Sequence, residues 1–305
     1  MKYAVQTIQG TYAETLEWAQ WAESAGLEAF AMPDHYVRGS GEPPEPALDA
    51  LSVVAGLARE TDSIELVLLV SPVTWRHPAV LAKTAATVQD MADGRLTLGV
   101  GTGWMEREHT LFGLPFPEID ERFEMLEEAL GYLRAAFDEP PRSFEGKHYT
   151  FEAFEMLPRP DLRLVVGGMG ATKTPRLAGA FADEFNIFPA APDDFAARLD
   201  IARSAATDAG RDPEAMLVSS SGVIVAGDTE EEFRERLTWV AERFGTTPER
   251  MEAGMTRRHA PIGTWDRMRE GMAALEDQGV ERFYLQAVGQ DMTDIDHALK
   301  MLEEA

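Results

Sequence analysis

DGRLTLGVGTGW, residues Asp93 to Trp104, reads as a strand from Arg95 to Val100 that runs into three glycines at alternate positions, Gly99, Gly101 and Gly103, with Thr102 between the last two. Glycine has no Cβ, so backbone there can turn sharply, approach a ligand and leave N–H groups pointing outward, and phosphate is the usual guest of such an end. A tight turn alone accounts for the glycines equally well. The pattern is not a dinucleotide fingerprint, which needs G-x-G-x-x-G opening into a helix and a carboxylate about 20 residues later. A second glycine-rich strand end, VVGGMG at Val165 to Gly170, strengthens the phosphate reading.

On either side of this strand, helical and strand-like stretches alternate. Lys2 to Ile8 reads as a strand, and Thr11 to Gly26 as a helix with Thr11 as N-cap and Gly26 closing it. Leu27 to Met32 is a strand ending in Pro33-Asp34-His35-Tyr36, followed by a polar loop from Arg38 to Pro46. The apolar run Ile64 to Val70 suits a strand buried on both faces, as in parallel sheets. Asp138 to Asp161, rich in proline, reads as an insertion with a short hairpin around Glu145 to Tyr149. Gly245 to Gly263 reads as a polar linking stretch, Arg282 to Val288 as the last strand and Ile295 to Glu304 as a closing helix. About eight strand–helix units in 305 residues favour one (β/α)8 barrel domain over residues 1–305, with the insertion between strands 4 and 5. A doubly wound open sheet is the alternative.

Composition narrows the function. The net charge is −25, from 53 acidic and 28 basic residues, of which five are lysine. A field of that sign repels nucleic acid and anionic lipid. With no cysteine, neither disulfides nor thiolate metal sites arise. The six histidines show no H-x-H or H-E-x-x-H spacing, so no metal site is expected, and G-x-S-x-G is absent. No apolar run approaches membrane-spanning length, and the chain opens in a strand-like segment, which reads as a cytoplasmic protein.

In a barrel the chemistry sits at the C-terminal strand ends. His35, beside Asp34, is the candidate acid or base there, since histidine titrates nearest neutral pH. Arg76, Arg107, Lys173 and Arg176 all fall just after strand ends, where cations would hold an anionic ligand. Trp104, Met105 and Phe112 could wall a flat ring, whereas Glu106, Glu108 and His109 read as helix-surface residues.

These residues resemble the luciferase-like oxidoreductases, a family of (β/α)8 barrels that bind FMN or the deazaflavin coenzyme F420. The likeness rests on PDH at 33–35, SPVTWRHPAVLAK at 71–83, GRLTLGVGTGW at 94–104, EREHTLFG at 106–113 and VVGGMG at 165–170. Within the family the chain looks closest to the F420-dependent branch, including its glucose-6-phosphate dehydrogenases. The resemblance implies a catalytic role for His35 and coenzyme contacts at Asp34, Ser71, Thr102, Gly103, Gly167, Gly168, Gly170 and Ala171. It also implies a non-prolyl cis peptide near Leu68-Leu69. To these the residue reading adds Trp104, Arg107, Lys173 and Arg176. Where the sugar-phosphate dehydrogenases carry a catalytic glutamate this chain has Trp104, so glucose 6-phosphate is not the expected substrate. Arg107 replaces an uncharged coenzyme contact.

The leading expectation is an F420-dependent enzyme passing hydride between coenzyme and a small organic molecule. An FMN-dependent monooxygenase is the second, and a flavin-binding protein without turnover the third. Substrate and direction of transfer stay open, and a homodimer is what the family's habit implies.

Overall fold

In the computed structural model, which describes residues 1–38, 44–158 and 161–303, eight of the apolar runs become parallel strands of one closed barrel. They are β1 Lys2–Gln6, β2 Ala29–Met32, β3 Glu65–Pro72, β4 Leu96–Gly101, β5 Arg163–Gly168, β6 Glu184–Ile187, β7 Leu217–Val223 and β8 Arg282–Gln286. Each strand pairs with its sequence neighbour, and β1 pairs with β8, Ala4 opposite Tyr284, to close the ring. The open-sheet alternative is thereby set aside.

The helices are α1 Tyr12–Ser24, α2 Ala50–Glu60, α3 Pro78–Met91, α4 Glu106–Phe112, α5 Ile119–Phe137, α6 Lys173–Phe181, α7 Pro192–Asp208, α8 Glu230–Arg243, α9 Pro248–Arg257, α10 Trp265–Asp277 and α11 Met292–Glu303. Local chemistry sets their ends. Thr11 caps α1 in a capping box, its hydroxyl accepting from the Glu14 N–H while the Glu14 carboxylate accepts from the Thr11 N–H. Gly26, at φ 74°, then turns the chain toward β2. Asp49 caps α2 through the Ser52 N–H at 2.9 Å.

Three expectations are corrected. The stretch Gly245 to Gly263 contains α9, whose start is capped by Thr247 with Pro248 in the first turn, a signal hidden by its polarity. The closing helix begins at Met292, three residues before Ile295, because the Asp291 side chain accepts from the Asp294 N–H. The loop from Arg38 to Pro46 carries a small antiparallel pair, Val37–Arg38 with Glu45–Pro46, and its residues 39–43 lie outside the described ones. The hairpin in the insertion is present as Phe144–Glu145 against Thr150–Phe151. It packs on α5, where the Glu128 carboxylate accepts from the N–H groups of Lys147, His148 and Tyr149.

Most of the core lies between strands and helices, while a smaller cluster of Ala4, Ala29, Ala31, Val67, Leu69, Val165 and Tyr284 fills the barrel itself. Below it Arg282, 2% exposed, binds Glu28 at 2.7 Å, Glu65 at 2.6 Å and Glu184 at 3.1 Å. Its guanidinium also donates to the Tyr284 hydroxyl, which itself donates to Glu184. Burial pushes the Glu184 carboxyl up against the pull of Arg282. Above the cluster the lining is polar: Gln286 donates to Gln6, Gln6 to the Leu69 carbonyl, and Asn186 to Ser219.

The cis peptide lies between Leu69 and Val70, one residue beyond the expected pair, where the β3–β4 register shifts. Val70 also accounts for two of the alternate glycines. A Cβ on Gly99 would sit 2.2 Å from the Leu68 carbonyl oxygen and 2.7 Å from a Val70 methyl, and one on Gly101 2.7 Å from the other methyl. Neighbouring protein, not ligand, occupies that space.

Candidate functional site

Asp34 and His35 follow β2 directly, yet their side chains part. The Asp34 carboxylate, 1% exposed, accepts from the Ser71 hydroxyl at 2.6 Å and pairs with Arg76, which also pairs with Asp49. Burial pushes the Asp34 carboxyl up, while Arg76 and Ser71 pull it down. Burial would likewise lower the Arg76 guanidinium, but Asp34 holds it above its ordinary value. Asp34, Ser71 and Arg76 thus form one buried knot under the mouth. The side chains of both Asp34 and Ser71 are fully buried in it.

His35 turns the other way. Its Nδ1 lies 2.8 Å from Oε2 of Glu108 on α4, and the other carboxylate oxygen accepts from the N–H groups of Tyr36 at 2.7 Å and Val37 at 3.0 Å. Glu108 is 1% exposed, so the helix-surface reading of this residue is corrected. A carboxylate accepts only, so Nδ1 carries a proton, and in the neutral form of the ring Nε2 presents a lone pair. Nε2 makes no hydrogen bond among the described residues, and the ring is about one-fifth exposed. A buried acid orients an imidazole whose free nitrogen can take or give a proton.

His109 is corrected as well. It is 1% exposed, with Nδ1 2.9 Å from the Met105 carbonyl and Nε2 2.7 Å from the Thr74 hydroxyl, so both nitrogens are spent on structure. With Arg122, whose guanidinium donates to the Gly103 carbonyl and sits 3.9 Å above the Phe116 ring, it braces the turn at Thr102-Gly103. Gly103 has φ 74°, which favours glycine. Glu106 is exposed, as expected.

Aromatic rings surround His35. Trp104, 71% exposed, stands 5.7 Å away edge-on, Trp75 6.4 Å away, and Tyr36 stacks on Trp75 at 4.0 Å. Phe112 packs on Tyr36 at 4.9 Å. Burial raises the Tyr36 hydroxyl. Of the wall read from Trp104, Met105 and Phe112, the two aromatic rings stand on this side of the mouth, with Tyr36 and Trp75 added.

Across the mouth, Gly167 and Gly168 end β5, Gly168 at φ 150°. The N–H groups from Met169 to Lys173, which include those of Gly170 and Ala171, donate to no acceptor among the described residues. Such a run suits an oxyanion, so the residues fit a phosphate-bearing flavin or deazaflavin. Lys173 and Arg176 point elsewhere: Lys173 pairs with Asp120 at 2.5 Å and Arg176 with Glu127 at 2.6 Å, both on α5. Arg107, on α4, is half-buried. Among the described residues no His, Asp and Glu cluster could hold a metal ion, and no helix is long and apolar enough to cross a membrane.

The sequence matches the family model described as luciferase-like monooxygenase over residues 2–282. It is similar to the F420-dependent glucose-6-phosphate dehydrogenase of Microbacterium testaceum (strain StLB037), 32% identical over 56% of this chain and 51% of that protein. It is similar too to the FMNH(2)-dependent dimethylsulfone monooxygenase of Pseudomonas putida, 26% identical over 71% of this chain and 59% of that protein. The chain thus spans between half and two-thirds of the length of the curated relatives it matches. Its fold is that of an F420-dependent secondary alcohol dehydrogenase solved with an F420-acetone adduct, with a TM-score of 0.80 at 20% identity over 99% of both chains.

Proposed function

This chain belongs to the luciferase-like monooxygenase family, and we propose that it is a coenzyme F420-dependent oxidoreductase moving a hydride to or from a small organic molecule. The observation that carries this reading is the buried Glu108 holding His35, whose Nε2 is presented beside an aromatic wall. When bound, the deazaflavin supplies the hydride chemistry. His35 Nε2 takes the proton of a substrate hydroxyl during oxidation, or returns it to a carbonyl oxygen during reduction. Glu108 keeps Nδ1 protonated and steadies the charged ring. Trp75 and Trp104 flank the ring edge-on, with Tyr36 stacked behind Trp75, and give that side of the site an apolar wall. The turns Thr102-Gly103 and Gly167 to Ala171 hold the coenzyme phosphate through main-chain N–H groups. Lys173 and Arg176 join that cradle only by giving up Asp120 and Glu127, and Arg107 lies on the adjoining helix.

Aromatic faces suit an uncharged, partly apolar substrate better than a sugar phosphate. We take residues 1–305 as one domain, supported by the β1–β8 pairing. We also take the protein to be a homodimer, which would cover Val80, Phe154 and Leu157, all more than half exposed.

FMN-dependent monooxygenation is the second reading, favoured by the wider span of the dimethylsulfone monooxygenase match, 71% of this chain. Fluorescence titration with F420 and with FMN separates the two. Saturable binding of F420 alone supports the proposal; binding of FMN alone overturns it. Tight binding of either without turnover, across a panel of alcohols and carbonyl compounds, would favour a carrier.

A further inference from the structure

Most of this molecule's cations are matched by carboxylates, and one exposed cluster departs from that rule. Arg257, Arg258 and His259 follow one another at the end of α9, with Arg258 as its C-cap and His259 at φ 53°. All three are exposed, and among the described residues none has a carboxylate within salt-bridge distance. In a chain with 53 acidic and 28 basic residues, adjacent arginines without an acid are conspicuous. Their neighbours do not share the condition: Arg234 pairs with Glu230 and Glu252, and Arg267 with Glu230. Among the described residues the one polar contact of the Arg258 side chain is from Nη1 to Sδ of Met169 at 3.6 Å, which sets its guanidinium against a side chain of the turn that ends β5.

We propose that Arg258, reinforced by Arg257, is an anion subsite facing that turn, and that it takes the phosphodiester or carboxylate tail of the coenzyme beyond its ring. The inference rests on the coenzyme reading above. N–H groups of the turn can hold an oxyanion, but they carry no net charge to set against a protein at −25. Lys173 and Arg176, the cations nearest in sequence, are neutralised at contact range by Asp120 and Glu127. Arg257 and Arg258 are not. A guanidinium also offers paired donors that match phosphate and carboxylate oxygens, which an N–H row alone lacks. The turn supplies position and α9 supplies charge.

The test compares full coenzyme F420 with its tail-less deazaflavin riboside, each titrated by fluorescence at low salt against wild type and the double variant Arg257→Ala, Arg258→Ala. Both residues are exposed, so the variant should fold, and a thermal melt checks this. F420 binding should weaken about tenfold to a hundredfold, the riboside less than threefold, and added salt should weaken F420 binding less steeply in the variant than in wild type. Arg258→Lys should recover part of the loss. Equal weakening of both ligands, or unchanged F420 affinity, overturns the subsite. If wild type binds FMN instead, the same contrast is read between FMN and riboflavin, so failure of the F420 reading is distinct from failure of the subsite. Wild type that binds neither flavin overturns both.

Discussion

Glu108→Gln isolates the pair at the mouth with the smallest change of shape. In wild type one carboxylate oxygen accepts two main-chain N–H groups and the other faces His35 Nδ1. The single oxygen of glutamine must stay with the two N–H groups, since the reverse orientation sets an amide donor against two donors. Its NH2 then faces Nδ1, so Nδ1 has to accept and the proton of the neutral ring moves to Nε2, where it blocks the lone pair. Keeping the original tautomer against the turned amide leaves two donors facing each other, worth about 2 kcal/mol. Lost hydrogen bonding of a carboxylate to the charged ring adds about 1.5–3 kcal/mol. Together these amount to about 3.5–5 kcal/mol, roughly a 400- to 5,000-fold fall in turnover. The assay is single-turnover absorbance of the bound coenzyme, with coenzyme affinity and the thermal midpoint measured alongside. Turnover within threefold of wild type, in a folded variant that binds coenzyme normally, would refute the orienting role.

His35→Ala should lower turnover by about 10² to 10⁴ with coenzyme affinity within a few-fold; parallel loss of both would make His35 a coenzyme contact. Gly168→Val forces a β-branched residue to φ 150° beside the free N–H row, so coenzyme affinity should drop more than tenfold, and a folded variant with unchanged affinity would remove the turn from the binding site. Asp183→Asn probes pH. Burial would raise this carboxyl, but Arg134, the Leu164 N–H and Arg211 hold it below the ordinary carboxylate range. A lowered native value contributes stability above the unfolded value of about 3.9, and that contribution is lost as pH falls through the native value. The variant should be about 1–3 kcal/mol less stable in urea melts at pH 7, with the gap narrowing toward pH 3; a constant gap would contradict the assignment.

Periodicity carried the barrel. Buried strands such as Ile64 to Val70 and glycine-closed helices such as α1 are local signals, and eight of them in order leave few topologies. Other features were not local. Glu108 and His109 sit in a short polar helix whose one-dimensional pattern is that of a solvated surface; the β2 loop, 72 residues away in sequence, reaches Glu108, while Thr74 and Phe116 meet His109. Gly99 and Gly101 were read toward a ligand, yet their vacancy is taken by Val70, a partner that becomes visible only when β3 lies beside β4. Charge near a strand end is likewise incomplete without its partners. Lys173 and Arg176 have the right position along the chain, but Asp120 and Glu127 on α5 reach them first, whereas Arg258 comes to the same turn from 89 residues away.

The ring of acids around Arg282 bears on the order in which the polypeptide is made. Glu28, Glu65 and Glu184 leave the ribosome long before Arg282, and until then Lys2 on Glu28 and Arg163 on Glu65 are the cations these carboxylates pair with. Glu184, fully buried, has no cation but Arg282 among the described residues, and removing one partner of a buried ion pair typically costs about 3–5 kcal/mol. Emergence of β8 delivers the guanidinium and the last strand of the ring together. A polypeptide that ends before Arg282 therefore lacks both the strand that closes the ring and the charge that Glu184 pairs with.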